Sequence, residues 1–180
     1  MRFFWLQIRH RKIVAHELEE TSFEEIKSMK HHYDHVVIDV PMDEEGHEQI
    51  QYLKNSPILK SAKHVTLHTI YNDSMGVELP AHIVDKNKFP EIEEHILSRL
   101  EDIKTALMPA DADSRSWSTK CTFNAEPKRI AVEFLQESKA DLAISATRGE
   151  QGIRGLFKES FAFYLIEYAP CDVYVIRPIH

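Results

Sequence analysis

The sequence predicts an α/β fold, a doubly wound parallel sheet with an N-terminal extension. Three observations carry that prediction. Leu142-Ala143-Ile144 and Val173-Tyr174-Val175-Ile176 are unbroken apolar runs, as suits strands covered on both faces. Between them Phe157, Phe161, Tyr164, Leu165 and Tyr168 recur at helical spacing until Pro170 stops the pattern. From Tyr33 onward, five strand-like segments alternate with four helical connections, an order that builds βαβ units.

Residues 1–32 form the extension and residues 33–180 the domain. Phe3–Ile8 and Lys12–His16 read as two strands around the basic turn Arg9-His10-Arg11-Lys12. A helix is expected from Ser22, with Glu25 three residues on, to about His32. Tyr33–Val40 is a buried strand, and Asp43–Asn55 a helix with Ile50 and Leu53 facing inward. His64–Tyr71 is the next strand, followed by an irregular connection through Asn72, Gly76 and Pro80. Pro90 suits a first helical position, and Ile92, Ile96, Leu100, Ile103 and Leu107 give that helix its inward face. After a polar linker from Met108 to Ser116, Trp117, Thr119, Cys121 and Phe123 alternate as an edge strand. Asn124 is read as the cap of a helix whose apolar face is Ile130, Ala131, Phe134 and Leu135. The closing βαβ unit consists of strand Ala140–Thr147, a glycine-bearing loop, helix Ser160–Ala169 and strand Cys171–Arg177.

The 180 residues suffice for one domain with a substantial core. With 22 Lys plus Arg against 29 Asp plus Glu, the net charge is −7. That balance, without a basic stripe, argues against a nucleic-acid binder. No apolar run approaches the roughly 20 residues of a membrane-spanning helix, and Met1–Leu6 is too short for a secretory core, so a cytoplasmic protein without membrane contact is expected. Cys121 and Cys171 are too few and too far apart for a disulfide framework or a zinc site.

The run Ala140-Asp141-Leu142-Ala143-Ile144-Ser145-Ala146-Thr147-Arg148-Gly149, the helix to Tyr168, and Ala169-Pro170-Cys171-Asp172-Val173-Tyr174-Val175-Ile176-Arg177-Pro178 resemble the C-terminal half of a universal stress protein. Tyr33–Ile38 resembles that family's first strand and Leu67-His68-Thr69 the end of its second, so the resemblance spans Tyr33 to His180. It implies a five-stranded parallel sheet of order 3-2-1-4-5 and a stress-response role. It also places Cys121 and Cys171 on opposite edge strands, as free thiols that fill the core.

The family holds ATP phosphates with a Gly-x2-Gly-x9-Gly-Ser/Thr pattern, which falls here on Ala146, Gly149, Glu159 and Ser160. The whole nucleotide site implied by the resemblance is Val40, Pro41, Thr69, Ala146, Gly149, Glu159, Ser160 and Phe161. Pro41 stands where ATP-binding members carry an Asp, and brings neither carboxylate nor N–H. Ala146 puts a methyl where backbone should approach phosphate closely. Glu159 brings a carboxylate to a helix N-terminus, where repulsion of a phosphate costs on the order of several kcal/mol. The expectation is a non-enzymatic stress protein with no required cofactor, with ATP or AMP binding weak or absent. It is expected to act as a homodimer through the exposed edge strand Asp172–Arg177. Residues 3–16 covering an edge within the chain is the alternative. A nucleotide (ATP/AMP)-binding sensor is the second reading of function.

Tyr33–Met42 also resembles the acceptor strand of a response-regulator receiver, with Asp39 as acceptor and Ala81–Lys86 imitating its later lysine strand. No acidic pair in residues 1–10 supplies the Mg²⁺ site such chemistry needs. His31, His32 and His35 read as a solvated helix end, because no Cys, Asp or Glu at ligand spacing completes a metal set. Ser145 and Ser160 lack the Gly-x-Ser-x-Gly elbow of a nucleophile.

Overall fold

The computed structural model describes residues 2–9, 12–18, 32–54, 56–72, 89–108, 116–146 and 160–179. Its strands are β1 (Arg2–Arg9), β2 (Lys12–Leu18), β3 (His35–Asp39), β4 (His64–Tyr71), β5 (Ser116–Phe123), β6 (Leu142–Ala146) and β7 (Asp172–Ile179). Its helices are α1 (Glu44–Gln51), α2 (Pro57–Ser61), α3 (Phe89–Leu107), α4 (Pro127–Glu137) and α5 (Phe161–Tyr168). They form one sheet of order β2-β1-β7-β6-β3-β4-β5. The five strands from β3 onward are mutually parallel, and counted from β3 their order is 3-2-1-4-5, as expected.

Helices lie on both faces because the buried strands send alternate side chains to opposite sides. Val36 and Ile38 join Ile50, Leu53, Leu59, Ile96, Leu100 and Leu107 under α1, α2 and α3. Val37 joins Ala131, Leu135, Ala143, Leu165 and Val173 under α4 and α5. The inward face expected for α3 is buried at Ile96, Leu100, Ile103 and Leu107, with Ile92 partly buried beside it.

The N-terminal strands form a hairpin, Arg9 opposite Lys12 and Phe3 opposite Leu18. The helix expected from Ser22, the connection through Gly76 and Pro80, and the loop 148–158 lie outside the described residues. β7 was expected at a sheet edge. Instead β1 pairs antiparallel along it, from Arg2 opposite Ile179 to Ile8 opposite Val173, while β6 pairs with its other side. The apolar run of β7 is thereby enclosed, and the edges of the sheet are β2 and β5.

Two caps also differ from expectation. Asn124 does not cap α4: its side-chain oxygen accepts the Glu126 N–H at 2.8 Å, one turn ahead of the helix, whose N-cap is Glu126. α2 was not foreseen; Ser56 caps it and Pro57 opens it. At the opposite end of the sheet from the helix starts, the Asp141 carboxylate accepts N–H bonds from Asp34 and His35, both at 2.9 Å. That carboxylate ties the start of β3 to the start of β6.

The turn from β3 into α1 is unusually tight. Asp43 caps α1 by accepting the Gly46 N–H at 2.7 Å, and a Cβ placed on Gly46 would lie 2.5 Å from the Pro41 Cβ. Alanine is favoured over glycine by about 1 kcal/mol in a helix, yet Gly46→Ala is expected to lower stability by about 1–3 kcal/mol through overpacking. A urea midpoint that falls in this variant checks the clash; one that rises shows that Pro41 gives way.

Candidate functional site

In open α/β sheets, ligands sit outside the carboxyl ends of the strands, where the winding reverses. Here that point lies between β3 and β6, with β4 and β5 to one side and β7 to the other. The candidate residues gather at this end. Val40 and Thr69 meet directly: the Thr69 hydroxyl donates to the Val40 carbonyl at 2.8 Å, and the Val40 N–H donates to the His68 carbonyl at 2.8 Å. Pro41 follows, packed on Gly46. Ala146 ends β6, opposite Ile176, and packs on the core beneath α1 to α3. Ser160 caps α5, its hydroxyl oxygen accepting the Phe163 N–H at 3.1 Å. Phe161 opens that helix and packs on the opposite core. Gly149 and Glu159 lie outside the described residues.

Below this rim is a feature that the sequence did not announce. Register sets Ser145, Asp39 and His68 side by side on β6, β3 and β4, on the α4 and α5 side of the sheet. Asp39 and His68 line a cavity whose walls are otherwise apolar, among them Val37, Leu135, Phe161 and Leu165. About 10 Å³ of it is open to the centre of a water molecule, room for about one water. Asp39 keeps some exposure as a residue, but its carboxyl is enclosed. Burial pushes its pKa up to about 7, against the opposing pull of the Ser145 hydroxyl, which donates at 3.3 Å. His68 is 2% exposed. Burial first, and the Lys120 charge second, pull its pKa down to about 4. Its Nε2 lies 3.1 Å from the Thr122 hydroxyl, and its ring rests 4.2 Å from that of Phe134. The available signal was a charged or polar residue inside a strand otherwise buried on both faces, which both β3 and β4 contain.

His35, expected at a solvated helix end, is part of β3. Its Nδ1 faces the Ser138 carbonyl at 3.0 Å and must donate there. Its Nε2 lies 2.8 Å from the Thr66 hydroxyl, which in turn lies 3.0 Å from the Ser118 hydroxyl. His32 is exposed. Cys121 and Cys171 are free thiols, burial pushing the first up to about 11 and the second up to about 12. Among the described residues no three His, Cys, Asp or Glu side chains are grouped to hold a metal, and no helix is long and apolar enough to cross a membrane.

The sequence model of the Universal stress protein family matches residues 32–177. The chain belongs to the universal stress protein family. A search of curated proteins gives no significant match. Among solved structures, the hypothetical protein MJ0577 is 16% identical with a TM-score of 0.62, over 83% of this chain and 99% of its own. Universal stress protein UspA from Lactobacillus plantarum is 16% identical with a TM-score of 0.56, over 82% of this chain and 100% of its own. A universal stress protein in complex with cAMP is 18% identical with a TM-score of 0.53, over 82% and 98%. At these identities the likeness is one of fold. Family membership replaces the receiver reading of Asp39: its carboxyl is turned into an apolar layer and held protonated to about pH 7, the reverse of an exposed, metal-holding acceptor. The segment Ala81–Lys86 lies outside the described residues.

The two buried groups respond to pH in opposite senses. Between about pH 4 and about pH 7 folded Asp39 keeps a proton that the unfolded chain has released, so its contribution to stability falls as pH rises. Across nearly the same range, unfolded His68 carries a proton that the folded form refuses, so its contribution rises with pH. Asp39→Asn is therefore expected to leave stability climbing from about pH 4.5 to about pH 6.5, and His68→Gln to leave it falling, each on the order of 1 kcal/mol per pH unit. Urea unfolding of both variants across that range is the check; slopes of the same sign would refute the assignment.

Proposed function

We propose that this chain is a non-enzymatic stress-response protein of the cytoplasm that binds nucleotide weakly or not at all and acts through protein contacts as a homodimer. The observation that carries the first part is the closure of the β3–α1 turn: Pro41 packs on Gly46 and the Asp43 carboxylate takes the Gly46 N–H. A helix N-terminus facing the ligand end of a sheet is an anion site, and here a carboxylate of the chain already fills it. Val40 and Thr69 spend their polar groups on one another and on His68. Ala146 adds a methyl, and Glu159 adds a further negative charge in the sequence. The hydroxyls that meet the Asp39 carboxyl and the His68 imidazole, those of Ser145 and Thr122, do so within the sheet, where Ser145 and His68 are buried.

A second reading, a nucleotide sensor for ATP or AMP, is favoured by Ser160 at the N-terminus of α5 and by the relative solved in complex with cAMP. Calorimetric titration of the wild type and Glu159→Gly with ATP, AMP and cAMP decides between them. The wild type is expected to bind more weakly than about 1 mM, which is about 4 kcal/mol, with Glu159→Gly gaining at least about tenfold, or about 1.4 kcal/mol. Micromolar binding by the wild type would establish the sensor instead.

A further inference from the structure

The hairpin β1–β2 stands apart from the rest of the sheet in two ways. It lies before the stretch matched by the family, which begins at residue 32. The five parallel strands carry the family match, and the hairpin lies outside it. It is also antiparallel to that unit, pairing with β7 over the seven residue pairs from Arg2 and Ile179 to Ile8 and Val173.

Those two facts give the contact a second meaning. A bare β7 would present a row of unpaired N–H and C=O groups beside the apolar run Val173–Ile176, the kind of edge that recruits another strand. The simplest recruit is a second copy related by a two-fold axis perpendicular to the sheet, whose β7 would run antiparallel to this one. β1 sits at that edge with that polarity. Residues 19–31 link the hairpin to the domain, so the pairing of β1 with β7 is a contact within one chain.

We propose that the β1–β2 hairpin is an internal gate on a self-association edge: paired in cis it excludes a second copy from β7, and released it lets two β7 strands pair across a two-fold axis. The gate rests on the homodimer reading above and specifies where and when that dimer forms.

Light scattering across a concentration series tests it on the full-length chain. In Phe4→Cys with Arg177→Cys the new thiols are opposite in register, within the span a disulfide needs. The native thiols, held protonated with pKa values of about 11 and about 12, compete poorly for it. The oxidised form is expected to stay monomeric at every concentration, and the same protein after reduction to dimerise as the wild type does. Leu6→Pro removes a ladder N–H from the middle of β1 and is expected to dimerise at concentrations at least about tenfold lower, about 1.4 kcal/mol. If the oxidised form dimerises as readily as the reduced one, the dimer uses another surface; the gate falls and the homodimer reading stands. If all forms remain monomeric, both fall together.

Discussion

Strand β3 is five residues long, hydrogen-bonded to a parallel neighbour on each side and covered on both faces. With no free side, each of its side chains must enter one helical layer or the other, and the pleat leaves no choice of which. That constraint sends Asp39 into the layer under α4 and α5, and the registers of β4 and β6 bring His68 and Ser145 beside it. An isolated charge there would be costly. The layer is kept neutral from both directions, with a carboxyl that holds its proton and an imidazole that gives its proton up. The polar row is then neutral in mildly acidic solution while retaining two titratable groups.

The parts of the fold that were legible are those whose signal is local. Apolar runs marked β3, β6 and β7, and the recurrence of Ile96, Leu100, Ile103 and Leu107 marked α3, because burial imposes its period on adjacent residues. What stayed hidden depends on residues far apart in sequence. Nothing in Phe3–Ile8 names β7 as its neighbour, so the pairing that encloses β7 appears only once the sheet is assembled. α2 is too short to show a period, although Ser56 and Pro57 spell a helix start. The site divides in the same way. Family resemblance pointed to Val40, Pro41 and Thr69, but the bonds that occupy them are cross-strand facts, as is the adjacency of Asp39 and His68.

The two helices that begin at the ligand end nearest the switch point, α1 and α5, both have their N-termini closed by the chain itself, one by a carboxylate and one by a hydroxyl. The difference matters electrostatically. A serine oxygen satisfies an N–H without adding charge. An aspartate satisfies the N–H and repels whatever anion approaches next. The closure is therefore asymmetric, firm beside β3 and softer beside β6.

The ladder between β1 and β7 joins the first described strand to the last, Phe3 lying opposite Pro178. During synthesis the hairpin leaves the ribosome before any of its partner has been made, and it must wait while four parallel strands and their helices are built. Loop closure across nearly the whole chain is the slowest kind of contact to form, and an unsatisfied strand edge is exposed throughout. A chain lacking β7 would therefore carry a hairpin whose strand β1 has lost its partner edge.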